Sequence, residues 1–292
     1  MLVAAIGLLL ALPSSSSAAT SVSLNLGKGG AHRALLEKVR VNGFVLNPNL
    51  GEQVEIKVSA DGRELFKKTV APKPNGTFEV PFAVKACCRY LIEAKTTGGQ
   101  SAAANFSTGV PKKLRKGRLT RLFNRSLQGQ GFHTGTKGGR VTAGTHLAIK
   151  AFRKVNGMRW SERYRPSIFR TLLRGEGAFQ PRFNDGRHVE VDISKQVMAL
   201  VEGKRPVHTF HVSTGTGGTP TVLGNYRFYL KQPGYNGKRM YYSVYFIGGY
   251  ATHGYASVPN GRASHGCVRN PVRFSRFIYN WIDLGDPMHT YS

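Results

Sequence analysis

The sequence predicts a mainly β protein with several domains, in which a β-rich module lies at each end and a small helical domain lies between them. Short stretches before residue 110, and again from Arg187, alternate apolar and polar residues with a period of two. Between these regions the apolar residues recur at helical spacing. A chain of 292 residues has room for two or three domains of about 100–200 residues each.

Residues 1–19 are predicted to be a secretory signal peptide. An apolar run to Leu12 is followed by Pro, Ser and small residues that suit cleavage after Ala18 or Ala19. The basic start of such a peptide is lacking, which a start site further upstream would explain, and an uncleaved membrane anchor is the alternative. Because the run is too short to span a bilayer, we predict an exported protein that is peripheral to the membrane at most.

Residues 20–110 are predicted to form an immunoglobulin-like β-sandwich. Val54–Val58 alternates apolar and polar residues, Asp61-Gly62 is a strong hairpin signal, and Phe78–Val84 places its apolar residues on one face. Short strands at this spacing, separated by Gly and Pro turns, are typical of such sandwiches. We interpret the module as a passive spacer, with a binding role as the alternative.

Residues 111–118 form a basic linker, and residues 119–175 are predicted to be helical. The charge run is interpreted as a solvated face. Thr142 is placed to cap a second helix that ends at Asn156-Gly157. The first helix has an apolar stripe, consisting of Leu119, Leu122, Phe123 and Leu127.

The charge balance points to an anionic partner. The chain has 42 Lys and Arg against 15 Asp and Glu, which gives a net charge of +27. Nucleic acid, a membrane surface and an acidic cell wall all fit this charge. The predicted export and the lack of readout motifs argue against nucleic acid.

The three cysteines differ in their surroundings. Cys87 and Cys88 are adjacent, and neighbouring residues of a strand point to opposite faces, so we expect no bond between them. The odd count leaves Cys267 free, as a nucleophile must be.

Residues 251–271 carry the strongest chemical signal. Cys267 lies in Ser264-His265-Gly266-Cys267-Val268-Arg269-Asn270, and His253 lies fourteen residues upstream. A thiol attacks as its thiolate and has an ordinary pKa of about 8.5, so it needs a base or a positive charge nearby, which the histidines and Arg269 can supply. Gly266 allows a sharp turn that aims N–H groups at one point beside the sulfur.

His253-Gly254, a loop and Ser264-His265-Gly266-Cys267-Val268-Arg269 together resemble the signature of the L,D-transpeptidases with a YkuD-type catalytic domain. These enzymes remodel peptidoglycan outside the bacterial membrane. The resemblance covers residues 187–292, where His211–Gly215 resembles the strand and turn beside the active cleft. Residues 119–175 resemble the small three-helix peptidoglycan-binding domain that often precedes such catalytic domains.

The resemblance implies a role for each residue of the signature. Cys267 is the nucleophile, His253 is the general base, and the carbonyl of Gly254 orients the histidine ring. The amides of Gly266 and Cys267 form the oxyanion hole. The remaining candidates are Ser264 and His265, which shape the turn, and three substrate contacts, Arg269, Tyr255 and Asn270, the last with a structural role as its alternative.

A zinc site is the competing interpretation of the histidines. His208 and His211 could join His253, His265 and Cys267, but no spacing in the sequence fixes a tetrahedral site. Strand histidines are more often packed or exposed. We therefore expect neither a metal nor a cofactor.

The reaction that the resemblance implies is acyl transfer through a thioester on Cys267. The enzyme attacks the bond between the third residue of a peptidoglycan stem, often diaminopimelate, and D-Ala, and passes the acyl group to an amine of another stem as a 3→3 cross-link. Water as the acceptor makes it an L,D-carboxypeptidase, and carbapenems are expected to acylate Cys267. The partners are then stem peptides and anionic wall polymers, and a non-catalytic wall-binding protein is the remaining alternative.

Overall fold

The computed structural model describes residues 21–27 and 31–292, and the prediction of a mainly β protein is confirmed. The chain divides into two compact units. One comprises residues up to Val84 together with Cys88–Gly109, and the other comprises Lys85–Cys87 and Val110–Ser292.

The predicted signal peptide, residues 1–19, lies outside the described residues. Within residues 21–27 and 31–292, no helix is long and apolar enough to cross a membrane. Export of the protein stays a prediction.

The first unit contains a three-stranded sheet and a five-stranded sheet. The strand order is β1-β3-β6 in the smaller sheet and β2-β8-β7-β4-β5 in the larger one. The strands are β1 (Ser21–Asn25), β2 (His32–Ala34), β3 (Lys38–Leu46), β4 (Val54–Ala60), β5 (Arg63–Val70), β6 (Thr77–Ala83), β7 (Arg89–Thr96) and β8 (Ser101–Gly109).

The two sheets pack face to face through alternating apolar residues. Phe82 of β6 lies with its ring centroid 6.0 Å from that of Tyr90 and 6.3 Å from that of Phe106, both on the other sheet. Fully burying an aliphatic or aromatic side chain stabilises the fold by about 1.5–3 kcal/mol. The predicted hairpin at Asp61-Gly62 is confirmed, since both residues have positive φ and join β4 to β5. The immunoglobulin-like type stays a prediction.

Cys87 and Cys88 form a disulfide with each other, because both are disulfide-bonded and Cys267 is free. The expectation that they stay unpaired is therefore wrong. They lie in the connection between β6 and β7, outside either strand, so the alternation that would separate their side chains does not apply.

The second unit begins with three helices, α1 (Arg118–Gly129), α2 (Ala143–Val155) and α3 (Pro166–Leu173). The predicted start and end of α2 are confirmed. Thr142 and Thr145 exchange side-chain to backbone hydrogen bonds of 3.1 and 3.2 Å as a capping box, and Asn156 is the C-cap. That these helices bind peptidoglycan stays a prediction.

The rest of the second unit is two sheets and a helix. The sheet orders are β11-β10-β9-β17-β12 and β13-β14-β15-β16. The elements are β9 (Arg187–Asp192), β10 (Val197–Glu202), β11 (Arg205–His211), β12 (Gly224–Arg227), β13 (Leu230–Tyr235), β14 (Tyr241–Ile247), β15 (Tyr250–Tyr255), β16 (Val268–Pro271), α4 (Val272–Trp281) and β17 (Pro287–Tyr291).

A single apolar core joins both sheets to α4. It includes Leu200 and Phe210 from the five-stranded sheet, Val244 and Val268 from the four-stranded sheet, and Phe274 from α4, all of them buried. This shared core makes the four-stranded sheet a rigid support for the residues at the end of β15 and the start of β16.

Candidate active site

His253 lies on β15, and Cys267 immediately precedes the neighbouring strand β16. The strands β15 and β16 are parallel neighbours, and His253 pairs with Arg269. The side chains of His253 and Arg269 are therefore neighbours on one face of this sheet, and Cys267 lies in the turn just before β16. Tyr255 completes this face, with its ring 5.8 Å from the His253 ring and 4.2 Å from the Arg269 guanidinium carbon.

His253 is held as a neutral ring with one defined tautomer. Its side chain is buried, and Nδ1 lies 2.9 Å from the carbonyl oxygen of Gly254. A carbonyl can only accept, so Nδ1 carries the proton and Nε2 keeps a free lone pair. Burial, aided by the positive charge of Arg269 and opposed by the Gly254 hydrogen bond, lowers the pKa of His253 to about 4.

Cys267 is partly exposed and is also uncharged at rest. Its Sγ lies 3.9 Å from the carbonyl oxygen of Gly249. Burial raises the pKa of the Cys267 thiol, and the Ala251 amide, Arg269 and Lys238 offset this only in part. The surroundings of the two side chains thus favour their neutral forms, a thiol and an imidazole, and activation of the sulfur by a base and Arg269 stays a prediction.

The turn before Cys267 depends on a glycine. Gly266 has φ +106°, and a Cβ there would lie 1.9 Å from the Tyr250 ring. The hydroxyl of Ser264 donates to the Cys267 carbonyl at 2.5 Å and accepts from the Gly266 N–H at 3.2 Å. Ser264 thus shapes the turn, as predicted, but it also occupies one of the two amides assigned to the oxyanion hole.

Residues 186–289 match the family model of the YkuD L,D-transpeptidase catalytic domain. Residues 186–289 form a YkuD domain. Among solved structures, the L,D-transpeptidase from Xylanimonas cellulosilytica is 27% identical with a TM-score of 0.57, over 63% of this chain and 98% of that one. The L,D-transpeptidase from Stackebrandtia nassauensis is 24% identical with a TM-score of 0.39, over 63% of this chain and 96% of that one. The comparison with curated proteins returned no match.

The turn before Cys267 is held by hydrogen bonds to residues 213–221. Thr221 donates to the carbonyl of Gly266 at 2.8 Å and accepts from the Gly215 amide at 2.9 Å. Ser213 and Arg269 exchange two backbone hydrogen bonds of 2.8 and 2.9 Å. These partners are far apart in the chain, so no local pattern could have identified them.

Asn270 lies on the opposite face of β16 from Arg269. It is buried, donates to Thr252 Oγ1 at 3.2 Å and accepts from Ser275 Oγ at 2.7 Å. These contacts favour the structural role that was the alternative for Asn270, and its role as a substrate contact stays a prediction. Its structural role joins β15, β16 and α4.

The other histidines of the competing zinc interpretation each have different surroundings. His265 is exposed on the turn. His208 contacts His133 at 3.2 Å between their Nδ1 atoms, and His211 contacts Lys154. Among the residues that the structure describes, no three or more His, Cys, Asp or Glu residues are grouped so that they could hold a metal ion.

Proposed function

We propose that this protein is an exported L,D-transpeptidase that forms 3→3 peptidoglycan cross-links through a thioester on Cys267. The observation that carries the proposal is the oriented, neutral imidazole of His253 on the strand next to the turn that holds Cys267, inside a YkuD domain. Its substrates are then stem peptides of the cell wall, and its site of action is extracytoplasmic.

Acylation begins with transfer of the thiol proton to Nε2 of His253. The sulfur attacks the carbonyl carbon of the third stem residue, and the negative charge moves to the carbonyl oxygen. When that oxygen re-forms its double bond, the C–N bond to D-Ala breaks and the imidazolium protonates the leaving amine. The products are a thioester, free D-Ala and a neutral His253.

Deacylation reverses the roles. A side-chain amine of a second stem attacks the thioester carbonyl, and His253 accepts the proton that the amine loses. The C–S bond then breaks, and the departing sulfur takes the proton back. Water in place of the amine gives the L,D-carboxypeptidase reaction through the same thioester.

The neutral resting pair suits this sequence of steps. A base must be unprotonated before it can accept the thiol proton, and the lowered pKa of His253 keeps it so at neutral pH. The thiolate then forms only when substrate is bound beside it. Such a thiol is also less exposed to unwanted oxidation, since oxidation follows thiolate character.

Arg269 is the proposed anchor for a substrate carboxylate. Within the described part of the chain it forms no salt bridge, and its guanidinium stacks on the Tyr255 ring. Stacking fixes the plane of the guanidinium and leaves its N–H edge free for a two-pronged contact. Stem peptides end in a carboxylate, which makes Arg269 and Tyr255 the proposed substrate contacts.

The Cys267 amide is the proposed first donor of the oxyanion hole. The hydrogen bonds of the described residues engage the Gly266 N–H but not the Cys267 N–H. The Gly266 amide can act as the second donor only when the Ser264 hydroxyl releases it on substrate binding. One preorganised donor of this kind is worth about 2.7–4 kcal/mol of barrier in acyl-transfer enzymes.

Intact-protein mass spectrometry tests the proposal. Wild-type protein mixed with a donor tetrapeptide is expected to gain the mass of the tripeptide acyl group, and an added acceptor stem is expected to yield a cross-linked product. Cys267→Ser and His253→Ala are expected to stay unmodified with an unchanged circular dichroism spectrum.

The same experiment separates the alternatives. Release of free tripeptide despite an excess of acceptor would favour the carboxypeptidase. The lack of any adduct from the donor or from a carbapenem, in folded wild-type protein, would contradict the thioester and leave a wall-binding protein.

A further inference from the structure

Lys154 of helix α2 contacts residues of the YkuD domain with its side-chain nitrogen. Lys154 is 1% exposed, and its Nζ lies 2.7 Å from the carbonyl oxygen of Asn260, 2.8 Å from His211 Nδ1 and 3.3 Å from the carbonyl oxygen of Gln196. An ammonium has three N–H donors and no acceptor, so these three contacts use all of them.

This lysine is buried without a counter-ion. No Asp or Glu pairs with it in the part of the chain that the structure describes, and its Nζ lies 4.5 Å from the centroid of the Trp160 ring. Burial, reinforced by the like charge of Lys150, lowers the pKa of Lys154 to about 7. Burying a charge in this way is costly, so a buried lysine bound only by neutral acceptors points to a role beyond packing.

His211 links Lys154 to a second carbonyl in the loop that contains Asn260. Its Nδ1 accepts from Lys154, so its proton lies on Nε2, which donates to the carbonyl oxygen of Val258 at 3.0 Å. Burial and the neighbouring lysine lower the pKa of His211 to about 3, which keeps the ring neutral. Lys154 and His211 therefore hold two carbonyls, those of Val258 and Asn260, in one loop.

That loop joins the base to the nucleophile. It runs from the end of β15, two residues after His253, to the turn that carries Cys267. Outside the Lys154 and His211 contacts it is tied down near its far end, where Ser213 Oγ donates to the Gly261 carbonyl at 2.7 Å. A shift of the middle of the loop would be passed directly to both reacting residues.

We propose that Lys154 is a positioning residue that, with His211, fixes the loop over residues 256–263 so that Cys267 and His253 keep their reactive arrangement. The helical segment is then part of the catalytic unit. This inference rests on the proposed thioester chemistry for its rate effect, but its effect on the loop is independent of that chemistry.

The test compares Lys154→Met with wild type and with Lys150→Met in the full chain. Methionine keeps an unbranched apolar side chain one atom shorter than that of lysine and removes the three donors. Lys150 is the matched control, because it lies one turn away on the same helix and pairs with Glu162 at 2.6 Å. The measurements are hydrogen exchange of peptides covering residues 256–263 and the kinetics of thioester formation with a donor tetrapeptide.

For Lys154→Met we expect faster exchange in the loop, unchanged exchange in β9 and β10, at least a tenfold lower rate at saturating donor, and a KM within threefold of wild type. Lys150→Met is expected to stay within twofold in every measurement. A Lys154→Met protein that matches wild type in both loop exchange and rate would overturn the proposal.

A second variant covers the case in which Lys154→Met does not fold. His211→Phe removes the contact to Val258 and leaves Lys154 its two carbonyls, so we expect intermediate loop exchange, and exchange equal to wild type would overturn the proposal. If wild type forms no thioester at all, the proposed function fails, while the comparison of loop exchange still decides the role of Lys154.

Discussion

The charge states of two side chains decide how the proposed site works. Burial alone moves His253 and Cys267 in opposite senses, lowering the pKa of the imidazole and raising that of the thiol, so both favour their neutral forms. Arg269 acts on both, since its charge disfavours an imidazolium and favours a thiolate. Before substrate binds, the Cys267 sulfur therefore keeps its proton, and Nε2 of His253 keeps a free lone pair.

The pH dependence of acylation follows from the His253 pKa. The rate needs neutral His253, so kcat/KM for the donor is expected to fall only below about pH 4, by about tenfold per pH unit, instead of near the ordinary histidine value of about 6.5. The measurement is a pH profile of thioester formation, with circular dichroism at each pH to exclude unfolding. An acid limb at pH 6 or above in folded protein would contradict the lowered pKa.

Arg269 is predicted to tune the thiol as well as bind substrate. Removing its charge raises the Cys267 pKa further, so Arg269→Gln is expected to slow alkylation by neutral iodoacetamide several-fold at pH 8. Arg262→Gln is the matched control, because Arg262 is exposed on the loop that precedes the turn of Cys267. Equal alkylation rates for Arg269→Gln and wild type would show that the guanidinium does not act on the sulfur.

The sequence was informative at the residue scale where chemistry needs particular residue types. The predicted contact of the His253 ring with the Gly254 carbonyl is present, with Nδ1 2.9 Å from that oxygen, whereas the roles of Cys267 and His253 in the reaction stay predictions. The state of the thiol could not be predicted, because desolvation depends on the whole packed domain. The engagement of the Gly266 amide by Ser264 depends on a turn geometry that residue types alone do not specify.

At the scale of elements, local signals succeeded where side chains are distinctive. Thr142 predicted the start of α2, and the structure shows it as the N-cap of that helix. By contrast, β8 was not predicted, although it lies between β2 and β7 in its sheet. Its sequence, SAAANFSTG, consists mostly of small residues with weak β propensity, so its pairing is set by the neighbouring strands.

The junction of β15, β16 and α4 yields a prediction about stability. Ser275→Ala leaves the buried Asn270 carbonyl oxygen without its donor, which is expected to lower the free energy of unfolding by about 1–3 kcal/mol. Because this contact lies behind the sheet, the rate of thioester formation well below the melting temperature is expected to stay within twofold of wild type.

Thermal unfolding and donor kinetics check this prediction together. Asn280→Ala is the control, since Asn280 is an exposed residue of the same helix. A large loss in the rate of thioester formation by stable Ser275→Ala protein would instead favour a role for Asn270 in the site as a substrate contact.

At the scale of the whole molecule, the net charge is +27, and the basic residues differ in whether they lie near a carboxylate. Lys57, Lys67 and Lys195 each lie within 4 Å of a carboxylate. The basic residues of the stretch 111–125 are instead exposed, and none of them forms a salt bridge in the described part of the chain. Paired charges largely cancel at a distance, so we expect this stretch to contribute more than the paired lysines do to attraction to a polyanion.

Binding to anionic wall polymers is therefore expected to depend on where the charge lies. Replacing Lys112, Lys113 and Lys116 by Gln, and separately replacing Lys57, Lys67 and Lys195 by Gln, lowers the net charge by the same amount. Co-sedimentation with phosphodiester-bearing wall fragments at 0.05 M salt is expected to weaken several-fold more for the first variant. Because the Debye length shrinks from about 10 Å at 0.1 M to about 3 Å at 1 M salt, the difference is expected to vanish at high salt. An equal loss in both variants would mean that net charge alone governs binding, and undiminished binding at 1 M salt would mean that contacts other than charge hold the protein to the wall.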